Sequence, residues 1–289
     1  LTGRQHNLVP LMRLIRRHFG PMKIDFGWGT NPYYYLAGKY GIHPTYIQEM
    51  LGDARYDEED ILAVIDHLRT EGGKKFSFDH LSDAQHYYRG RPQGSWPPVE
   101  EFEGREVLIL GAGNGVVAHR SALEALIRRR QPVVLALNTQ SAIDQTLIDL
   151  RIACHPVRLL ADLDHHQDLP QPLITPASML PESIRGDLGN KSVLDFGLGL
   201  KKGGFEFHST YCLAPNLLVL SYALAAVTAG KAASIMMAGF DGYAPGDMRN
   251  VEMEAMLSAF ARSDAPVQPV SITPSRYKNL TSRSLYALR

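Results

Sequence analysis

An apolar run, Val107-Leu108-Ile109-Leu110, closes on Gly111-Ala112-Gly113-Asn114-Gly115 and gives way to an amphipathic stretch, Ala118–Arg130. No other feature constrains the fold of this chain so tightly. A strand that apolar is buried on both faces, as strands of parallel sheets are. A strand that stops at glycines and turns directly into a helix is the first half of a crossover to a parallel neighbour. That neighbour follows at Val133–Leu137. The same alternation then predicts a helix over Gln140–Ile152, a third strand over Val157–Ala161, a long buried helix over Leu213–Ala229 and a strand over Ala233–Ala238. A helix over Val251–Arg262 and a last strand over Val267–Ile272 complete it. The pattern predicts an α/β domain over 105–289, built on a doubly wound, mainly parallel, Rossmann-like sheet.

Residues 1–88 follow another rhythm. Leu8, Leu11, Met12, Ile15 and Phe19 recur at helical spacing, and Gly20-Pro21 stops that helix. Short helices are predicted over Pro32–Tyr40, Pro44–Leu51, a stretch capped by Asp57 and carrying Ile61, Val64, Ile65 and Leu68, and 79–88. This small all-helical block bears the cluster Tyr33-Tyr34-Tyr35, more apolar surface than so thin a core covers. It is expected to pack in a homo-oligomer or against another domain. Between the blocks, Arg91-Pro92-Gln93-Gly94-Ser95-Trp96-Pro97-Pro98 can neither continue a helix nor sit in a central strand, so a linker is read over 89–104.

Composition narrows the function classes. Lys+Arg and Asp+Glu both number 30, which argues against a nucleic-acid partner. Two cysteines, Cys154 and Cys212, cannot form a disulfide framework, and a reducing, cytoplasmic setting is expected. No apolar run approaches the ~20 residues of a membrane-spanning helix, and no signal peptide is read. Leu1 in place of a starting Met reads as a piece of a longer protein.

Ligands of open α/β sheets bind at the carboxyl ends of the strands. The loop Gly111, Gly113, Asn114, Gly115 lies there, where free N–H groups at a helix start would face a phosphate. Nucleotide binding, nicotinamide binding and a purely structural turn are the alternatives. The nicotinamide reading lacks its third glycine, since Val116 takes that place, and lacks the acid at the end of the second strand, where Asn138 stands. Asn138 suits a base edge, a ribose or an amide. Asp241, in Gly239-Phe240-Asp241-Gly242, ends another strand and serves either a ligand or a local cap. His208 and Tyr211 are candidates for acid/base work, with a structural or surface role as the alternative. Asp162-Leu163-Asp164-His165-His166 is read mainly as a polar loop, and no metal site is assigned. Cys154 and Cys212 are read as core residues.

Two resemblances add to this. Gly27-Trp28-Gly29-Thr30-Asn31-Pro32-Tyr33-Tyr34-Tyr35-Leu36-Ala37, Gly41-Ile42-His43-Pro44-Thr45-Tyr46-Ile47-Gln48-Glu49-Met50-Leu51 and Gly73-Lys74-Lys75-Phe76 resemble the tail after the barrel in aldolases of the 4-hydroxy-2-oxovalerate aldolase and HMG-CoA lyase superfamily, in versions encoded with surface-polysaccharide genes. The chain contains no His-x-His, which that family's metal site needs, so it is not a self-sufficient aldolase. The second block resembles bacterial sialyltransferases and the related Maf-type motility accessory proteins. The shared outline is the Gly111–Asn114 loop, Asn138, a long helix and Gly239-Phe240-Asp241. This chain has Gly115-Val116 where those families usually have Pro-Ser. The resemblance implies a CMP- or UDP-linked nucleotide-sugar as ligand and a transferase of O-antigen or capsule synthesis, beside an aldolase barrel absent from this chain. The alternative is a module that binds the nucleotide or sugar, or docks the aldolase, without turnover. Gly111, Gly113, Asn114, Gly115, Asn138 and Asp241 would hold the nucleotide, and His208 or Tyr211 would assist the leaving phosphate or the acceptor.

Overall fold

The computed structural model describes residues 91–288, apart from 141, 156–158, 160–161, 181–184, 187 and 244–246. The helices expected within 1–88 lie outside the described residues. The described part is an α/β domain with a mainly parallel, Rossmann-like sheet, as the strand–helix alternation predicts.

Eight strands form the main sheet, every pair parallel: β1 Glu106–Leu110, β2 Val133–Leu137, β3 Leu150–Ile152, β4 Leu173–Thr175, β5 Val193–Asp195, β9 Ser234–Ala238, β10 Val270–Ser271 and β11 Thr281–Ser282. Their spatial order is β11-β10-β9-β1-β2-β3-β4-β5. The chain therefore winds outward from β1 to β5, returns to the far side of β1 and winds outward again. The reversal falls between β1 and β9, and their loops face one another at the carboxyl edge. That is the topological switch point, the usual ligand crevice of such sheets.

Period-2 alternation assigns the strand residues to two cores. Val107 and Ile109 of β1, with Val133, Leu135, Ile235 and Met237, face one layer. Leu108 and Leu110, with Val134, Ala136, Met236 and Ala238, face the other, which is filled by Val116, Leu123, Leu126 and Ile127 of helices α2 Asn114–Ala118 and α3 Arg120–Arg130. On the first face lie α5 Val219–Ala229 and α6 Met248–Ala261. Leu220 through Val227 are buried without interruption. That is the pattern of a helix covered all round, and α5 contacts β2 as well as a second, three-stranded sheet. The latter has the order β6-β8-β7, from β6 Gly197–Leu200, β7 Glu206–Phe207 and β8 Tyr211–Ala214. Helix α4, Leu163–Asp168, connects β3 to β4.

Several expected boundaries move. Gln140–Ile152 is not a helix. Arg151 lies in its second half with no exposed surface, and a 3-10 turn over Gln145–Leu147 leads straight into β3. The strand after β2 is β3; the strand expected over Val157–Ala161 lies, apart from Leu159, outside the described residues. Asp149 fixes the start of β3, because its carboxylate accepts from Val134 N–H at 2.7 Å while its own N–H donates to Val134 O. The helix expected over Leu213–Ala229 begins only at Val219. Pro215 and Asn216 separate it from β8, and Asn216 Oδ1 accepts from Leu218 N–H and from Ser221 Oγ at the helix entry. The strand expected over Val267–Ile272 shrinks to Val270–Ser271, and β11 follows it.

Residues 91–104, read as a linker, are built into the domain. Ser95 and Trp96 N–H both donate to Asp195 O, at 2.9 and 3.0 Å. The Trp96 indole is buried edge-on to Phe102 and Phe196, with ring centroids 6.2 and 6.4 Å away. Phe102 ends the one-turn helix α1, Val99–Phe102, and a Cβ on Gly230 would stand 2.7 Å from its ring. Proline density argues against regular structure over 91–98 but says nothing about burial.

Candidate functional site

The switch point is closed by three loops. Gly111 N–H donates to Ala238 O at 2.8 Å, extending the β1–β9 ladder one step beyond β1. Gly113 N–H donates to Gly239 O at 2.9 Å. Gly115 N–H donates to Asp241 Oδ2 at 2.7 Å. The third loop follows β10: Thr273 Oγ1 accepts from Gly239 N–H at 3.0 Å, and Ser275 Oγ donates to Phe240 O at 2.7 Å.

This geometry explains the glycines. A Cβ on Gly113 would stand 2.5 Å from Gly239 O and 2.9 Å from Asp241 Cγ, and one on Gly115 would stand 2.5 Å from Asp241 Oδ1. Gly239 has φ +79, and its Cβ would meet Val116 at 2.5 Å. The two loops interlock, and only glycine fits between them. The N–H groups of Gly113 and Gly115, expected to face a phosphate, are both engaged inside the protein. The Asp241 carboxylate already occupies the anion position at the start of α2, and it would repel a phosphate placed there. Asn114 is exposed at the first position of α2.

Asp241 has a second oxygen. Oδ1 is buried and has no hydrogen-bond partner, although Oδ2 is fixed by Gly115. An unpaired buried carboxylate oxygen is costly, and a donor arriving with a ligand removes that cost. Asp241 thus serves as a cap and leaves an acceptor at the switch point.

Asn138 ends β2 as expected, but its backbone explains much of its presence. It has φ +51, a left-handed conformation that Asn tolerates better than most residues. Its N–H donates to Ile152 O, and its carbonyl accepts from Arg151.

Arg151 was not among the residues singled out from sequence. Its guanidinium donates to Asn138 O and Gln140 O at 3.0 Å each, to Gln171 Oε1 at 2.9 Å and to Gln145 Oε1. Every acceptor is neutral, so burial lowers its pKa, to about 10, and it stays charged at neutral pH. Gln140 in turn donates through Nε2 to Gly111 O. A buried cation thereby fixes the loop after β2 and, through Gln140, the first glycine of the β1 loop. An arginine between Leu150 and Ile152 was the available signal, hidden by the helical reading of that stretch.

His208 and Tyr211 are brought together, but not at this edge. His208 follows β7 and Tyr211 begins β8 at the tip of a tight hairpin, with His208 N–H donating to Tyr211 O at 3.0 Å. Their rings stack with centroids 4.2 Å apart. His208 Nε2 lies 3.2 Å from Glu206, whose carboxyl is held below its usual range first by Lys201 at 2.7 Å and then by His208. No hydrogen bond among the described residues joins this pair to Gly111–Gly115, Asn138 or Asp241, and the hairpin geometry accounts for both side chains.

Of the remaining candidates, His166, Cys154 and Cys212 are internal. Among the described residues, no group of three or more His, Cys, Asp or Glu side chains converges as a metal site. His166 has no exposed surface, and neither ring nitrogen has a partner. Cys154 and Cys212 are buried and not joined in a disulfide, and burial raises both thiol pKa values. No helix among the described residues is long and apolar enough to cross a membrane.

A cleft of about 260 Å³ opens beside the switch point, where β10 and β11 end. Thr273, Ser282, Arg283, Ser284 and Tyr286 line it on one side and His119, between α2 and α3, on the other.

Comparison with known proteins supports the architecture. No family model and no curated protein matches the sequence. Among solved structures, the chain is similar to the Maf glycosyltransferase of Magnetospirillum magneticum, with a TM-score of 0.51 at 12% identity. The match covers 81% of this chain and 43% of that one, so this chain spans less than half the length of the protein it matches. At that identity the likeness is one of fold, and it agrees with the switch-point sheet described above.

Proposed function

We propose that the α/β domain binds a nucleotide-sugar, CMP- or UDP-linked, as part of a sugar-transferring protein. The observation that carries this reading is Asp241 Oδ1, a buried acceptor without a partner at the carboxyl edge where the sheet reverses. It suits a ribose or sugar hydroxyl, a neutral donor that an internal carboxylate does not repel. The fold likeness to a glycosyltransferase supports the same class of ligand. The resemblance of residues 1–88 to an aldolase tail extends the proposal to surface-polysaccharide synthesis.

A second reading is binding without turnover. It is favoured by the engaged N–H groups of Gly113 and Gly115 and by the hairpin role of His208 and Tyr211. These leave no acid/base pair beside Asp241 among the hydrogen bonds of the described residues.

Calorimetry of the whole chain with CMP, UDP and NADH tests the proposal. CMP or UDP should bind, and Asp241→Ala should weaken binding roughly tenfold or more, through loss of one charged hydrogen bond. Binding of NADH without CMP or UDP, or of none of them at millimolar concentration, would overturn it. Hydrolysis or transfer from a bound CMP- or UDP-sugar separates the catalytic reading from the second one.

A further inference from the structure

We infer that the cleft between His119 and Ser282–Tyr286 is the phosphoryl-binding half of the ligand site, replacing the glycine loop in that role. This rests on the nucleotide-sugar reading for the identity of the ligand, but not for the chemistry of the cleft. The walls of the cleft are largely apolar, with Ile272, Pro274 and Leu285 among them; its polar residues are an arginine, a histidine and four hydroxyl-bearing side chains, with no carboxylate. Arg283 makes no ion pair among the described residues, whereas Arg120, Arg128, Arg130 and Arg249 each do. An exposed arginine in a cleft with hydroxyl-bearing residues and no acid suits a phosphate electrically.

His119 is prepared for the same task. Its Nδ1 lies 3.1 Å from the Tyr286 hydroxyl. Where that hydroxyl donates to Nδ1, the ring N–H is at Nε2 and is available as a donor. The two rings pack edge to face with centroids 5.9 Å apart, which fixes the imidazole across the cleft.

Place and size agree. The cleft lies at the carboxyl ends of two parallel strands, beside the switch point. Thr273 joins the two: it lines the cleft, accepts from Gly239 N–H and would touch a Cβ on Gly115 at 3.3 Å. A volume of about 260 Å³ is below the ~300–1,000 Å³ of a pocket for a whole small molecule. It accommodates a phosphoryl group and part of what it carries, leaving the hydroxyl-bearing remainder to extend toward Asp241.

The test is calorimetry of the whole chain with CMP, UDP and inorganic pyrophosphate, on wild type, Arg283→Gln, His119→Gln and Arg262→Gln. Arg262 is exposed on the far end of α6, so that variant controls for net charge. Circular dichroism confirms that each variant is folded. Arg283→Gln and His119→Gln should each weaken nucleotide binding roughly tenfold or more, with Arg262→Gln unchanged. Binding of CMP or UDP that neither variant alters would overturn the cleft and leave the nucleotide-sugar reading standing. Pyrophosphate binding that depends on Arg283, with no nucleotide bound, would uphold the cleft and overturn that reading. Binding of none of the three by wild type would overturn both.

Discussion

Among single residues, the buried polar groups separate function from stability most clearly. Arg151 and His166 both lie fully inside the domain, yet they meet burial in opposite ways. Arg151 satisfies its guanidinium with four neutral acceptors and keeps its charge. His166 has no partner on either nitrogen, and its pKa is pushed down to about 4, first by burial and then by Lys191, Arg151 and His165. It is neutral in the folded protein, whereas in the unfolded chain it titrates near 6.5. Above pH 6.5 both states are neutral and stability is unaffected. Between 6.5 and 4 only the unfolded chain takes up the proton, so stability falls as the pH falls. The loss should reach about 2 kcal/mol by pH 5. Urea unfolding at pH 7.5, 6 and 5 measures it, and His166→Leu should flatten the dependence by that amount. An unchanged slope in the variant would assign the titration to other groups.

At the scale of elements, the central strands and their loops were legible, and the periphery was not. β1, β2 and β9 are apolar along their length because parallel strands are covered on both faces, and that pattern is unmistakable in sequence. β3 and β4 are three residues each, too short for a period to register, and β3 contains the buried Arg151. The glycines between β1 and α2 admit the Gly239–Asp241 loop, a pairing between residues 126 apart that no local motif encodes. Thr273-Pro274-Ser275 stood at the end of another expected strand, so the rule that singled out Asp241 could have found it too. The interlock predicts that Gly239→Ala destabilises the domain by roughly 1–3 kcal/mol, from a strained φ and contact with Val116 and Gly111. Gly104 also has positive φ but has open space around it, so Gly104→Ala should incur only the backbone part, about 1 kcal/mol. Equal effects at the two glycines, measured by denaturant midpoint, would show that the loops are not locked together.

For the molecule as a whole, the decisive question is where the α/β domain begins. Proline density in 91–98 and the change of hydrophobic period both read as a linker over 89–104, yet within 91–104 the packing runs the other way. Trp96 and Phe102 belong to the same buried cluster as Phe196, Leu220 and Tyr222, so the sheet's first core layer is closed by residues that precede its first strand. Tyr222 reinforces this by donating its hydroxyl to Phe196 O, fixing the ring on which the Trp96 edge rests. The segment also secures the β5–β6 connection, because Asp195 O accepts from both Ser95 and Trp96 while its carboxylate accepts from Ser178 N–H at 2.9 Å. A linker residue can be truncated at little cost, but a core aromatic cannot. Trp96→Ala in the whole chain should destabilise the α/β domain by about 3–5 kcal/mol, the range for truncating a buried aromatic. It should act on the same cooperative transition as Ile109→Ala, which lies in that cluster on the central strand and should cost about 2–5 kcal/mol. Thermal or urea unfolding followed by circular dichroism reads both. A Trp96→Ala protein that unfolds like wild type would return 91–104 to the status of a linker. A shift comparable to Ile109→Ala would extend the folding unit to the proline-rich segment and make its aromatics part of the scaffold that holds β1, β9 and the switch point in register.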